Sequence, residues 1–230
     1  MSTSRLRQTA RTLRGFVHRS RRKAFGPAPR ATKDYATPLP VLVGLAKNFK
    51  IEKVLELGCG DYSSLTFLDR RVFPHVSQLT SLETNQVWLE KITKRLNGDP
   101  RYKPMFVSAS MAAALEQISL DEFDLVFVDD STNAEERSQT IQSLQQKKPD
   151  RTLIAIHDFE VEEYRLAAKD FDYRYIFKSF TPQTALVWNR SDRNHSKPKD
   201  MDRTIKKFCR RYEPDDIDRW LSAFEKGTNR

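Results

Sequence analysis

Long apolar runs and cysteine are scarce in this sequence. None of its segments approaches the roughly 20 apolar residues that a helix needs to cross a bilayer, so no transmembrane helix is predicted. No apolar stretch of about 7 to 15 residues follows the basic start, which argues against a cleavable secretory signal. The two cysteines, Cys59 and Cys209, lie far apart without CxxC spacing, so neither a disulfide framework nor a zinc site is indicated. We therefore expect a protein of a reducing compartment, the cytoplasm.

Acidic residues are absent from the first 33 residues, which contain ten Lys and Arg side chains. The rest of the chain carries 30 basic and 31 acidic side chains, so the formal charge of +9 comes from residues 1–33 alone. This distribution predicts a flexible, solvated basic arm on a body that is not expected to bind nucleic acid. Three further roles stay open for the arm: peripheral contact with an anionic membrane, capture of RNA, and targeting to an organelle.

Strand patterns alternate with helical patterns through the middle of the chain, as is typical of a parallel sheet with helices on both faces. The predicted strands are 53–57, 79–83, 104–107, 124–129, 152–157, 173–179 and 184–188. The last two are only four residues apart, too few for a crossover helix, so they are predicted to pair antiparallel. We predict that residues 34–190 form an α/β domain, a doubly wound, mostly parallel, seven-stranded sheet ending in an antiparallel hairpin. Residues 191–230 are predicted to form a polar linker and a C-terminal amphipathic helix.

The first predicted strand runs into a glycine-punctuated loop, in the order Glu56-Leu57-Gly58-Cys59-Gly60. Glycines here allow positive φ and a close approach of the backbone to a ligand, as nucleotide cofactors require. The second strand ends in Glu83, at the spacing of an acid that hydrogen-bonds ribose hydroxyls. The third glycine of the dinucleotide fingerprint is missing, because Ser63 stands in its place. A nicotinamide cofactor is therefore the second choice.

Polar side chains follow three other strands: Ser108 after the third, Asp129 after the fourth, and His157 with Asp158 after the fifth. Ligands of open α/β sheets bind at this edge of the sheet, so these residues are candidates for chemistry. Asp129 and Asp158 could hold Mg²⁺, which prefers oxygen ligands. His157 could instead act as a general base without a metal, because its intrinsic pKa lies near neutrality. The sequence leaves both alternatives open.

The glycine loop resembles the first motif of the class I S-adenosylmethionine-dependent methyltransferases, and Glu83 resembles their ribose-binding acid. The resemblance implies a Rossmann-like methyltransferase domain at residues 34–190 with S-adenosylmethionine as cofactor. The residues that it implies at the cofactor are Glu56, Gly58, Gly60, Glu83, Ser108 and Asp129. Ser108 stands near the position of an acid that binds adenine in many of these enzymes.

A closer resemblance, to the methyltransferase 24 type family, rests on the segment 123–129, on Glu136-Arg137, and on His157-Asp158 with Tyr164 six residues further on. It implies methyl transfer to oxygen on a sugar, glycan or other small hydroxylated acceptor. Asp129, His157 and Asp158 would then orient and deprotonate the acceptor. Metal-dependent relatives often carry an acid where this chain has His157. From the sequence, we expect Arg137 to be a solvated helix charge rather than a substrate ligand.

Two rival functions are considered. The basic arm could serve an RNA methyltransferase, although the fourth strand lacks the Asn-Pro-Pro-Tyr or Asp-Pro-Pro-Tyr tetrapeptide that many base-amino methyltransferases carry. Alternatively, the chain could be a non-catalytic methyltransferase-like module that binds a ligand or partner. The combination of Glu56, Gly58, Gly60 and Glu83 argues against such a module, because a protein without a cofactor has no need of it.

Overall fold

The computed structural model describes residues 37–96, 98–178, 181–189 and Arg203, and its centre is a seven-stranded sheet. The strands are β1 Lys53–Leu57, β2 Gln78–Glu83, β3 Tyr102–Phe106, β4 Leu125–Val128, β5 Leu153–Ile156, β6 Tyr173–Phe177 and β7 Thr184–Trp188. The helices are α1 Leu39–Asn48, α2 Ser63–Leu68, α3 Gln86–Arg95, α4 Met111–Glu116, α5 Ala134–Lys147 and α6 Glu162–Ala167, with a 3₁₀ turn at Leu120–Glu122.

The strand order is β3-β2-β1-β4-β5-β7-β6. Strands β1 to β5 pair in parallel, and β7 pairs antiparallel with both β5 and β6, so β7 alone among the seven strands runs in the opposite direction. This arrangement confirms the predicted α/β class, the mostly parallel sheet and the antiparallel hairpin at its end. The predicted limits of β1 and β7 agree with the structure, whereas β3 begins two residues earlier than predicted.

Both faces of the sheet are covered by helices, because the central strands are apolar on both sides. One face packs against α1, α2 and α3, with Leu42 and Phe67 in its core. The other face packs against α4, α5 and α6, with Leu115 and Ile141 in its core. The sheet is therefore doubly wound, as predicted.

Strand geometry places the candidate residues of the site. Side chains alternate between the two faces along a strand, so Glu56, set between Leu55 and Leu57, points to the face opposite theirs. The chain reverses its direction of winding between the neighbouring strands β1 and β4. Such a switch point opens a crevice at the carboxyl ends of the strands. The loops after β1 and β4 meet at this crevice.

Some predictions fall outside the described residues. They concern the basic arm at 1–33 and most of the linker and amphipathic helix at 191–230, so these remain predictions, together with the domain limits. Among the described residues, no helix combines the length and apolar character needed to span a bilayer.

Candidate functional site

Gly58 follows β1 and lies against the backbone that follows β4. Its φ is +84°, a conformation that favours glycine. A Cβ at this position would lie 2.2 Å from the backbone oxygen of Asp129 and 2.7 Å from the Cα of Asp130. The amide of Gly58 donates to the carbonyl of Leu82 at 2.8 Å. No other residue type fits between the two strand ends, so Gly58 brings the glycine loop against Asp129.

Glu56 lies beneath this loop and is fully buried. Its Oε2 accepts hydrogen bonds from the hydroxyls of Ser64 at 2.7 Å and Ser81 at 2.5 Å. Ser64 also accepts from the amide of Gly60 at 3.1 Å, which ties the carboxyl to the loop. Within the described residues, Oε1 of Glu56 has no hydrogen-bond partner. Burial raises the pKa of Glu56 to about 7, although the neighbouring serine hydroxyls act to lower it.

Glu83 holds the loop from the adjacent strand. Its Oε2 accepts from the amide of Cys59 at 3.1 Å, and its Oε1 accepts from the amide of Asn85 at 2.8 Å. The indole N–H of Trp88 donates to the carbonyl of Cys59 at 2.6 Å. The backbone N–H and C=O of Cys59 are thus both hydrogen-bonded, and the Glu83 carboxylate lies beside the glycine loop.

Asp129, His157 and Asp158 come together at the ends of β4 and β5, as the sequence predicted from the strand ends. The Nδ1 atom of His157 lies 3.5 Å from Oδ1 of Asp129 and 3.4 Å from Oδ1 of Asp158. The side chain of Asp129 is 29% exposed and that of Asp158 is 32% exposed, whereas that of His157 is 4% exposed. The two carboxylates therefore face the crevice, and the imidazole lies behind them.

His157 is held from its other side by the start of the described chain. Its Nε2 atom and the hydroxyl of Thr37 are 2.9 Å apart. Burial acts to lower the pKa of His157, but the nearby carboxylates of Asp129 and Asp158 outweigh it, so the pKa is raised above its ordinary value. Both carboxylates lie beside Nδ1 of the imidazole and favour its protonated form.

The prediction that Arg137 is a solvated helix charge is wrong. Arg137 is only 2% exposed, and its guanidinium donates to Asp129 Oδ1 and Asp158 Oδ2, each at 2.8 Å. The guanidinium also lies 5.4 Å from the ring centre of Tyr164. The helix pattern contained the missed signal: Arg137 is four residues before Ile141 and seven before Leu144, both in the core, so it lies on the inward face of α5.

The predicted magnesium ligands do not fit a resident divalent ion. Asp129, His157 and Asp158 offer ligand atoms within 4.8 Å of one another. However, Arg137 already supplies a positive charge to both carboxylates through short hydrogen bonds. A divalent ion on the remaining oxygens, Oδ2 of Asp129 and Oδ1 of Asp158, would lie close to the buried guanidinium and be repelled by it. The geometry therefore favours the metal-free alternative.

Ser108 belongs neither to the glycine loop with Glu83 nor to the group of Asp129, His157 and Asp158. It follows β3 and is exposed, so its predicted contact with the cofactor remains a prediction. The neighbouring Ser110 caps α4, because its hydroxyl accepts from the amide of Ala113 at 3.2 Å.

Sequence inspection also missed Thr37 and Trp88, since neither belongs to a local motif.

Comparisons with known proteins extend the description of the fold. No protein-family model and no curated protein sequence matches the chain, so the methyltransferase 24 type resemblance stays a prediction. An O-methyltransferase family protein from Burkholderia thailandensis aligns with a TM-score of 0.50 and 12% identity, over 70% of this chain and 58% of that one. At this identity the alignment shows a shared fold alone. The chain spans less than two thirds of the Burkholderia protein.

Two other structures align with lower scores. One is described as PigF with SAH, with a TM-score of 0.45 and 13% identity over 70% of this chain and 65% of PigF. The other is human methyltransferase-like protein 13 in complex with SAH, with a TM-score of 0.47 and 17% identity over 74% of this chain and 89% of that one. These scores add nothing to the fold shared with the Burkholderia protein.

Proposed function

We propose that the protein is an S-adenosylmethionine-dependent methyltransferase that acts on a hydroxyl of a sugar, glycan or other small acceptor. The observation that carries this proposal is the contact of Gly58 with the backbone of Asp129. It joins a loop suited to a nucleoside cofactor to a pair of carboxylates suited to an acceptor. The fold shared with the Burkholderia O-methyltransferase family protein agrees with the proposal.

The residues of the loop fit the proposed cofactor. Glu83, whose oxygens accept from the amides of Cys59 and Asn85, would also accept a hydrogen bond from a ribose hydroxyl, and Gly58 and Gly60 would leave the backbone open to the methionine part. The cofactor would supply an electrophilic methyl group on a positively charged sulfur. Glu83, together with the ionised fraction of Glu56, whose pKa is raised to about 7, brings negative charge to this side of the crevice, which favours a cationic ligand.

The carboxylates would orient and deprotonate the acceptor. Asp129 and Asp158 are the exposed members of their cluster, so an acceptor hydroxyl would donate its hydrogen bond to one of them. As the bond from oxygen to the methyl carbon forms and the bond from carbon to sulfur breaks, the hydroxyl proton passes to the carboxylate. His157 lies behind both carboxylates and, in its neutral form, would receive this proton from them at Nδ1.

Calorimetric titration with S-adenosylmethionine and S-adenosylhomocysteine tests the proposal. We expect micromolar dissociation constants for the wild type and a loss of at least about tenfold in Glu83→Ala, roughly 1.4 kcal/mol. Glu90→Ala is the matched control, because Glu90 is an exposed acid on the nearby helix α3. Absence of binding of both ligands to the folded wild type would overturn the proposal and favour the non-catalytic module.

The acceptor is then identified with a panel of compounds from different chemical classes. Folded protein is incubated with S-adenosylmethionine and a panel of sugars, glycans, small phenols, amines and RNA, and release of S-adenosylhomocysteine is measured. Methylated hydroxyl products that require Asp129 or Asp158 support the proposal. Turnover confined to amines or RNA would overturn the choice of a hydroxyl acceptor and leave the cofactor assignment standing.

A further inference from the structure

The guanidinium of Arg137 occupies the centre of a ring of acidic groups. Its two terminal nitrogens contact Asp129 and Asp158, one each, at 2.8 Å. Its Nε atom lies 3.7 Å from Oδ1 of Asp130, which is itself nearly fully buried. Three carboxyl groups from two different loops thus surround one cation. No other Lys or Arg contacts these groups within the described residues.

The position of this guanidinium has an energetic reason. Like charges held close together at a partly buried site repel, and each one also loses hydration. A positive charge between them offsets both costs, and the planar fork of arginine can donate to two carboxylates at once. The ammonium of lysine is a single compact charge without this planar fork, so it would pair less well with two carboxylates at once.

We propose that Arg137 takes the place of a divalent cation between Asp129 and Asp158 and makes this site metal-independent. Arg137 is then a positioning residue: it holds one oxygen of each carboxylate and leaves the rest of each group exposed toward the crevice. This function depends only on the geometry of the acidic cluster and stands whether or not the protein binds S-adenosylmethionine.

The same arrangement restricts the acceptor, and this consequence rests on the proposed function. The terminal nitrogens of Arg137 are engaged with Asp129 and Asp158, so the guanidinium does not offer its fork to a phosphate or carboxylate of the acceptor. The exposed groups of the cluster accept hydrogen bonds and carry negative charge. The acceptor is therefore expected to present hydroxyl or ammonium donors, with no negative charge next to the methylated atom.

Binding of Mn²⁺ tests the proposal without any measurement of activity. Depletion of the free Mn²⁺ signal in electron paramagnetic resonance is followed for the wild type, Arg137→Gln and Arg137→Gln/Asp158→Asn. We expect the wild type to bind no more Mn²⁺ than Asp129→Asn/Asp158→Asn does. We expect Arg137→Gln to gain one equivalent, because Asp129, His157 and Asp158 become free to act as ligands, and we expect Asp158→Asn to remove it again.

The control is Arg71→Gln, which breaks a bidentate arginine–aspartate pair with Asp69 on the surface and should gain no Mn²⁺. One equivalent of Mn²⁺ on the wild type that is lost in Asp129→Asn/Asp158→Asn would overturn the proposal. So would folded Arg137→Gln that binds none. If Arg137→Gln does not fold, the wild-type comparison still decides between a metal-free and a metal-containing site. Failure of the proposed function would appear separately, in the titration with S-adenosylmethionine.

Discussion

The crevice has two sides, each built on a pair of carboxyl groups, and the two pairs are stabilised differently. Glu56 and Glu83, on the side of β1 and β2, accept hydrogen bonds from serine hydroxyls and backbone amides, and no ion pair of either is found within the described residues. Asp129 and Asp158, on the side of β4 and β5, are paired with a buried arginine. Among the described residues, Glu56 and Glu83 thus have no positively charged partner, whereas Asp129 and Asp158 share Arg137.

This difference assigns different ligands to the two sides. A cationic ligand beside Glu56 and Glu83 would give these carboxyl groups a positively charged partner, and S-adenosylmethionine carries a positive charge on its sulfur. The side of Asp129 and Asp158 can be completed by hydrogen-bond donors alone, as from hydroxyl groups. The contact of Gly58 with Asp129 makes the two sides one crevice, so changes at that glycine should affect both.

Gly58→Ala is expected to have the largest effect, because it separates the two sides. The added Cβ would overlap the backbone of Asp129, and alanine would also be strained at a φ of +84°. We expect a loss of about 3 kcal/mol or more in the free energy of unfolding, together with loss of cofactor binding. Chemical denaturation and calorimetry measure the two effects.

Gly98→Ala is the matched control for this substitution. Gly98 has a similar φ of +72°, but a Cβ there would meet no atom within 4 Å. It should cost only about 1 kcal/mol from backbone strain. Equal destabilisation by the two substitutions would show that strain alone, and not the contact between strand ends, matters at Gly58.

Glu56→Gln is expected to change how stability depends on pH on the cofactor side. The pKa of Glu56 rises from 4.5 to about 7 on folding, so the folded state binds more protons than the unfolded state between these values. Wild-type stability from this group is therefore full below about pH 4.5 and falls as the pH rises to about 7, by on the order of 3 kcal/mol. Glutamine cannot ionise and should remove this loss.

Urea denaturation of wild type and Glu56→Gln at several pH values between 4.5 and 8 measures the effect. The difference in stability between the two proteins should shift steadily in favour of Glu56→Gln as the pH rises. Glu90→Gln makes the same chemical change at an exposed site and should show no such trend. A constant difference at all pH values would contradict a raised pKa for Glu56.

How far the sequence predicts this molecule differs between its fold and its site. The alternation of strands with helices and the final antiparallel hairpin follow from local signals, since apolar strands alternate with helices and a four-residue gap is too short for a crossover helix. The order of the strands in the sheet, with β7 between β5 and β6, was not predicted from these signals. The residues at the strand ends, such as Glu83 and Asp129, were predictable for the same reason. Their place in the chain settles which edge of the sheet they occupy.

The partners of these residues could not be predicted in the same way. The spacing of Arg137 from Ile141 and Leu144 indicates the inward face of α5, but nothing local indicates its partner Asp158, 21 residues away. Thr37 reaches His157 across 120 positions. Such pairs are produced by the packing of separate elements, and no spacing in a single sequence encodes them.

Thr37→Val should disturb the acceptor side alone. The substitution nearly conserves the shape of the side chain but removes the hydroxyl next to Nε2 of buried His157. An unpaired polar atom in this position costs about 1 to 2 kcal/mol of stability. We expect turnover to fall by roughly tenfold, about 1.4 kcal/mol in the barrier, with the affinity for S-adenosylhomocysteine unchanged. Thr37→Ser retains the hydroxyl and should restore turnover, whereas a weaker cofactor affinity in Thr37→Val would contradict the separation of the two sides.

Trp88→Phe should give the smallest effect and the opposite pattern. It removes the indole N–H that donates to the carbonyl of Cys59 at 2.6 Å, so the glycine loop loses one of its attachments. We expect a loss of about 1 kcal/mol in stability and a several-fold weaker affinity for S-adenosylhomocysteine, with turnover at saturating cofactor unchanged. Trp188→Phe makes the same change on β7, far along the sheet from the glycine loop, where Trp188 stacks on Tyr173, and should leave the affinity unchanged. If Trp88→Phe lowered turnover at saturating cofactor as Thr37→Val does, the crevice would behave as one coupled unit rather than two sides with separate supports.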